Sequence, residues 1–203
     1  NSVAAFKSPI AFEVAVPHVG REIYFYASVP SRLAEAFVKQ IQSLWSDSIV
    51  EEAEDYNIFN YTGVAVGASI SQKERFILPI RTYEEIDGDT FLPILGGLAK
   101  INEVGEGGTI QFVMRPADKK IKKEIESSLR SVKKGWKLSD VLKRELSFSA
   151  SDFIEAVSGR GKKKDEVPPK ADEEAVKVLS AKLTKPLFEV NVRVAASAPS
   201  QFQ

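Results

Sequence analysis

Three short stretches bring together residue types that could do chemistry. Ala156-Val157-Ser158-Gly159-Arg160-Gly161-Lys162-Lys163 comes close to a phosphate-binding loop. Such a loop needs glycines so that backbone N–H groups can wrap the phosphates, a lysine for the terminal phosphates and a Ser or Thr hydroxyl for magnesium. Lys163 stands where the hydroxyl is required, and no apolar strand leads into the segment, so it reads as a solvated loop. Asp87-Gly88-Asp89 beside Glu84 and Glu85 could hold a divalent cation, but the spacing of an EF-hand is absent. Helix capping and negative charge at a helix start account for these carboxylates. His18, the single histidine, falls in a turn and reads as solvent-exposed. There is no Gly-x-Ser-x-Gly and only one histidine to activate a nucleophile, so no catalytic residue is expected, and on the readings of the loop and the carboxylates above no cofactor site and no metal ligand either.

Two patterns suggest binding. Tyr24 and Tyr26 alternate on one expected strand and could present rings on an open sheet, as RNA-recognition modules do, although the second aromatic motif of those modules is missing. Phe112 alternates with Ile110 and Met114 and is assigned to the core. Lys119, Lys120, Lys122, Lys123, Lys133, Lys134 and Lys137, with Lys143 and Arg144 beyond them, could follow a phosphate backbone without reading bases. The bland alternative is a solvated helix face, because Glu124, Glu126 and Asp140 are interleaved.

The elements that must carry these residues follow from periodicity. Phe12, Val14 and Val16, then Ile23, Phe25, Ala27 and Val29, alternate on either side of the turn Pro17-His18-Val19-Gly20, a hairpin pattern. Ser31 can cap a helix containing Leu33, Phe37, Ile41, Leu44 and Trp45. Short strands are expected at 49–53, within 61–71 and at 76–80, where Pro79 confines the last to an edge or an end. Thr82 and Glu85 have capping-box spacing, and Asp89 can start a helix over about 89–101 that lays Leu92, Leu95 and Leu98 on a sheet. Glycines 105, 107 and 108 break the chain before a strand through Ile110, Phe112 and Met114. Asp118 and Asp172 can cap further helices, with shorter ones near 139–147 and 151–158, and Phe188 to Val194 alternate as a final strand. Phe12-Glu13-Val14-Ala15-Val16 and Phe188-Glu189-Val190-Asn191-Val192 are nearly the same pentapeptide, which raises a weak internal repeat.

Read in order, residues 22–115 run strand, helix, strand, strand, helix, strand, the order of the ferredoxin-like split βαβ unit. The expectation is an α+β fold: an antiparallel sheet with helices on one face, plus an added helical segment. It divides into a domain at 9–116, a basic helical segment at 117–158, a linker or disordered loop at 159–170, and a helix and strand at 171–197.

Composition narrows the function classes. A chain of 203 residues that is 43% hydrophobic can bury a substantial core. No cysteine is present, which excludes disulfide scaffolds, thiolate zinc sites and cysteine catalysis. No apolar run is long enough to cross a bilayer, so no membrane contact by this stretch itself is expected. Net charge is zero but unevenly distributed. Residues 1–116 carry 9 Lys or Arg against 15 Asp or Glu, and residues 117–164 carry 14 against 7.

Five ordered segments resemble a known family. They are FEVAVPHVGREIYFYASVPSRLAEAFVKQIQSLW, IVEEAEDYNIF, ILPIRTYEEIDGDTFLPILGGLAKI, GTIQFVMRPADKKIKKEI and FEVNVRVAASAP, spread over residues 9–197. They are similar to the region upstream of the motor domain in large membrane-associated conjugative-transfer or type IV secretion-like ATPases of the HerA/FtsK class, as found in uncultured bacteria. The resemblance implies a ferredoxin-like accessory domain, with membrane helices ahead of it and the nucleotide-binding motor after it. It also implies a piece of a longer protein, placed in the cytoplasm at the inner face of the membrane. The implied role is oligomerisation, docking or guidance of DNA, with self-association or the motor domain as partner and nonspecific DNA as a further one. No nucleotide-binding residue carries over, because those motifs are absent. The alternative is a free-standing nucleic-acid-binding protein acting through its lysine-rich helices.

Overall fold

Alternation turns into a sheet built from strands near both ends of the chain and two internal runs. A computed structural model describes residues 8–101, 103–143 and 172–200. The chain divides into two units, one comprising the described parts of 1–71, 81–116 and 188–203, the other 72–80 with the described parts of 117–187.

The first unit is α+β, an open sheet of five antiparallel strands. Strand β1 spans Ile10–Val16, β2 Tyr24–Ser28, β3 Val64–Ile70, β4 Gly107–Pro116 and β5 Phe188–Ala198. Their order is β2-β1-β4-β5-β3. Register follows the apolar alternation: Phe12 lies opposite Phe112, which lies opposite Val192, and Val14 opposite Ile110, opposite Val194. Directly paired residues share a face, so Phe12, Val14, Ile110, Phe112 and Val192 make one apolar surface. Helix α1, Ser31–Leu44, reaches it through Phe37, whose ring lies 5.8 Å from that of Phe12. Helix α2, Leu92–Leu98, reaches the same surface, because a Cβ on Gly108 would meet Leu98 at 3.5 Å and Ile101 at 2.4 Å. Gly108 is therefore what lets the end of α2 and Ile101 approach the sheet.

β3 and β4 are both antiparallel to β5, so they run the same way on either side of it, with α2 in the connection between them. β1 and β5 flank β4, yet their similar pentapeptides are not in equivalent register: Phe12 faces Phe112 whereas Phe188 faces Pro116.

Two expected strands are absent. Residues 49–53 pair with nothing: Ile49 is exposed, and the following Glu51, Glu52, Glu54 and Asp55 are exposed carboxylates in close succession, which repel one another and offer no face to bury. Residues 76–80 belong to the second unit, where Ile77 is fully buried. Pro79 lacks a donor, and the carbonyls of Phe76 and Leu78 accept from Lys182 Nζ, at 2.8 Å for Leu78, instead of from a strand. The helix expected at about 89–101 is shorter, Leu92–Leu98. Asp89 is bound up in its entry, accepting the N–H groups of Phe91 at 2.8 Å and Leu92 at 3.1 Å. Ser31 is the first helical residue of α1 and provides no side-chain cap.

The second unit packs α3 (Lys119–Lys133), α4 (Leu138–Lys143) and α5 (Glu173–Thr184) around Ile77. Ile125, Val132, Val141, Ala175 and Leu179 complete its buried centre. Asp118 and Asp172 act as caps, accepting from Lys120 N–H at 2.9 Å and Ala175 N–H at 3.0 Å. Arg75 ties segment 72–80 down, bonding Glu124 at 2.6 Å and the Leu142 carbonyl at 3.1 Å. The phosphate-loop-like stretch at 156–163 and the expected linker at 159–170 lie outside the described residues.

Candidate interaction surfaces

On α3 the buried positions Ile125, Ser128 and Val132 occupy one side. At 100° per residue, Lys119, Lys122, Lys123, Arg130 and Lys133 fall within an arc of about 100° on the opposite side, over a length of about 21 Å. All five are exposed, and Glu126 lies among them. Lys120 is exposed but turned off this stripe, Lys134 is the C-terminal cap, and Lys137 is exposed in the turn before α4. The first turn of α3 holds no acidic residue. Lysines there oppose the positive end of the helix dipole by about 0.3–1 kcal/mol each, which offsets much of the ~1 kcal/mol a side-chain cap contributes. Helix stability does not account for their placement.

β3 is the second surface. Among the described residues it ends the sheet and pairs only with β5. Its sequence, VAVGASI, contains neither charge nor proline, and every residue in it is exposed. Val64, Val66 and Ile70 project on the apolar face, with Val66 at 68% exposure, and Val190 beside them on β5 is exposed too. Natural edges are ordinarily blunted by charge, proline or bulges, and this one carries none of those devices over its seven residues.

The tyrosine face is differently built from the sequence expectation. Tyr24 and Tyr26 lie opposite Ala15 and Glu13, on the surface away from Phe12. Tyr26 is already stacked on Tyr56, with centroids 4.2 Å apart and planes 6° from parallel. The Tyr56 hydroxyl donates to the Glu13 carboxylate and lies 3.5 Å from Thr109 Oγ1. Partial burial and that carboxylate push the Tyr56 hydroxyl up to about 12. A base stacking on Tyr26 would compete with Tyr56 for the ring. Tyr56 sits in a loop without periodicity, so nothing in the sequence pointed to it. Phe112 lies with Ile110 and Met114 on the apolar face, as expected.

His18 is half-buried rather than exposed. Its ring Nδ1 donates to the Asn57 carbonyl at 2.7 Å, and its backbone N–H donates to the same oxygen at 3.1 Å. It pins the loop that carries Tyr56. Glu85 closes the capping box with Thr82, accepting its N–H at 2.8 Å. Among the described residues, no three His, Asp or Glu side chains are grouped to hold a metal, and no helix is long and apolar enough to cross a membrane.

Compared with protein-family models, with curated proteins and with solved structures, the chain matches none.

Proposed function

We propose that this chain is a noncatalytic assembly domain of a membrane-associated ATPase that translocates DNA or protein, of the type IV secretion or conjugation kind, working at the cytoplasmic face. The ATPase context comes from the segments that resemble that class. The assembly role is carried by one observation, the uncharged, exposed edge strand β3. A second copy could pair with it across a two-fold axis centred on Gly67, setting Val64 against Ile70 and Val66 against Ala68 with no like charges opposed. The sheet itself is read as an elaborated ferredoxin-like arrangement. Support comes from β3, α2 and β4 straddling β5, and from α1 and α2 reaching one face.

Analytical ultracentrifugation tests this reading. The mass of the chain should rise with concentration, and Val66→Lys, at an already exposed position, should keep it monomeric with unchanged circular dichroism. A chain that is monomeric throughout, or a folded Val66→Lys variant that associates equally well, overturns it.

A second reading, nonspecific DNA binding, is favoured by the stripe of Lys119, Lys122, Lys123, Arg130 and Lys133. Duplex DNA should then bind with an affinity that falls steeply with salt, and replacing three of these cations by glutamine should lower the log–log slope by about 0.9 for each phosphate no longer neutralised. Binding indifferent to salt and to those substitutions removes this reading.

A further inference from the structure

The chain leaves α3 through Lys133-Lys134-Gly135-Trp136-Lys137. Lys133, Lys134, Trp136 and Lys137 are all exposed, with 45% of the tryptophan open to solvent. Gly135, at φ +92°, closes the helix: its N–H donates to the Val132 carbonyl at 2.9 Å, and the Trp136 N–H reaches back to the Ser131 carbonyl at 3.2 Å. In this Schellman closure a hydrophobic residue at the position of Trp136 ordinarily packs on an apolar residue one turn back. Ser131 and Arg130 stand there instead, and the Ser131 hydroxyl donates to the Ser127 carbonyl at 3.2 Å. Capping therefore calls for the glycine and not for an indole.

Lys137 is placed against local helix preference as well. Its carbonyl accepts from the N–H groups of Asp140 at 3.0 Å and Val141 at 3.2 Å, so it stands at the start of α4. Ser, Thr, Asp or Asn are favoured at that position, and a cation opposes the helix dipole. The same dipole suits Arg130 and Lys133 at the end of α3, but Trp136 and Lys137 gain nothing from it. From 127 to 143 five cations, Arg130, Lys133, Lys134, Lys137 and Lys143, stand against one acid, Asp140.

An exposed indole among ammonium groups matches one kind of surface. Tryptophan concentrates at the headgroup level of bilayers, where its ring meets apolar surroundings and its N–H meets water. Lysines reach anionic headgroups on flexible stems. A fluid headgroup layer demands no fixed spacing, which suits point charges; duplex phosphates would take the same lysines but give the indole nothing to enter. The sequence expectation of no membrane contact followed from the lack of a spanning run, and contact in the plane of the interface needs none.

We infer that the α3–α4 turn, with Trp136 among Lys133, Lys134 and Lys137, is a peripheral contact for an anionic lipid bilayer. It does not depend on association through β3. Arg130 and Lys133 also belong to the stripe of the DNA reading, whereas Trp136 and Lys137 do not.

The test uses the whole chain carrying Trp45→Phe, which leaves Trp136 as the only tryptophan, and vesicles of phosphatidylcholine alone or mixed with phosphatidylserine. Trp136 emission should shift to the blue and resist an aqueous quencher with the mixed vesicles, and stay unchanged with phosphatidylcholine alone. Co-sedimentation with the mixed vesicles should weaken as salt rises. Lys133→Gln, Lys134→Gln and Lys137→Gln should each weaken it by about fivefold, the ratio equivalent to about 1 kcal/mol for each basic residue at the surface. Trp136→Ser should weaken it by at least as much while leaving affinity for duplex DNA unchanged. All four positions are exposed, so each variant should keep the circular dichroism of the parent chain. Val66→Lys, which tests β3, should change neither readout. No emission shift with the mixed vesicles overturns the inference. So does vesicle binding that Trp136→Ser leaves intact, which would reduce the effect to general attraction by a basic surface. So does an emission shift given by a single-stranded oligonucleotide and not by the mixed vesicles, which would make Trp136 a stacking platform for bases.

Discussion

Shortening Ile77 to alanine separates the two places that segment 76–80 could occupy. Ile77 has no exposed surface and sits among Ile125, Val132 and Leu179. The substitution removes three buried carbons at about 0.8 kcal/mol each, or roughly 2.4 kcal/mol of transfer free energy. A cavity contribution brings the expected cost to about 3–4 kcal/mol. Ile80, three residues on and 75% exposed, should cost less than about 0.5 kcal/mol when treated the same way. Hydrogen exchange resolved by peptide gives the readout. In Ile77→Ala, amides of α3 and α5 should lose protection by roughly two orders of magnitude, the equivalent of about 3 kcal/mol. The same peptides in Ile80→Ala should be unchanged. Equal effects of the two substitutions would refute the assignment of Ile77 to the helical core. So would a loss of protection centred on β4 and β5 with α3 and α5 spared.

Other perturbations probe different parts of the fold. Gly107→Ala places a Cβ 2.3 Å from the Ile58 carbonyl oxygen, a backbone atom that cannot step aside, and should destabilise by about 2–3 kcal/mol in urea unfolding, whereas Gly67→Ala, 3.6 Å from the nearest atom, should stay within about 0.5 kcal/mol. The Tyr56 phenol is raised in the folded chain from 10.0 to about 12, so its contribution to stability is complete below pH 10 and is lost as pH rises toward 12. Allowing for its partial exposure, that loss should be about 1 kcal/mol; Tyr56→Phe should reduce this slope, to which Tyr24 and Tyr26, both raised as well, also contribute, and ultraviolet titration should show the latest-ionising phenol disappear in that variant. Lys182→Met removes the ammonium that bonds the Phe76 and Leu78 carbonyls and should cost about 1–2 kcal/mol by thermal unfolding, with protection lost first around residues 76–78.

Elements with a strong period were legible. The β1–β2 hairpin, α1, α3 with its Asp118 cap, α5 with its Asp172 cap and the alternating strand from Phe188 all stand where apolar spacing puts them. Short apolar runs were not, because FILPI satisfies a strand and a buried strap equally well, and only the partner supplied by Lys182, 104 residues beyond Leu78, decides between them. The glycines before β4 illustrate a second limit. Gly105 does turn the chain, at φ +98°, but Gly107 and Gly108 open the strand itself, because Ile58 and Ile101 approach too closely for a side chain. Close approach between distant segments leaves no periodic mark. For the same reason the Tyr26–Tyr56 stack was hidden, whereas the lysines of α3 stood out in the sequence, although Arg130 of the exposed stripe was missed and Lys120, Lys134 and Lys137, which lie off it, were included.

The position of β5 between β3 and β4 has a consequence for biosynthesis. When Pro116 has been made, β2, β1 and β4 can already form a sheet, but β3 has no strand to join until the chain from Phe188 emerges. At translation rates of about 5–20 residues per second, that interval is on the order of 4–14 s. Throughout it the ribosome carries an uncharged, valine-rich ribbon with both of its edges vacant, which makes the nascent chain a natural client for a holdase and makes slow translation of the helical region a hazard in recombinant hosts.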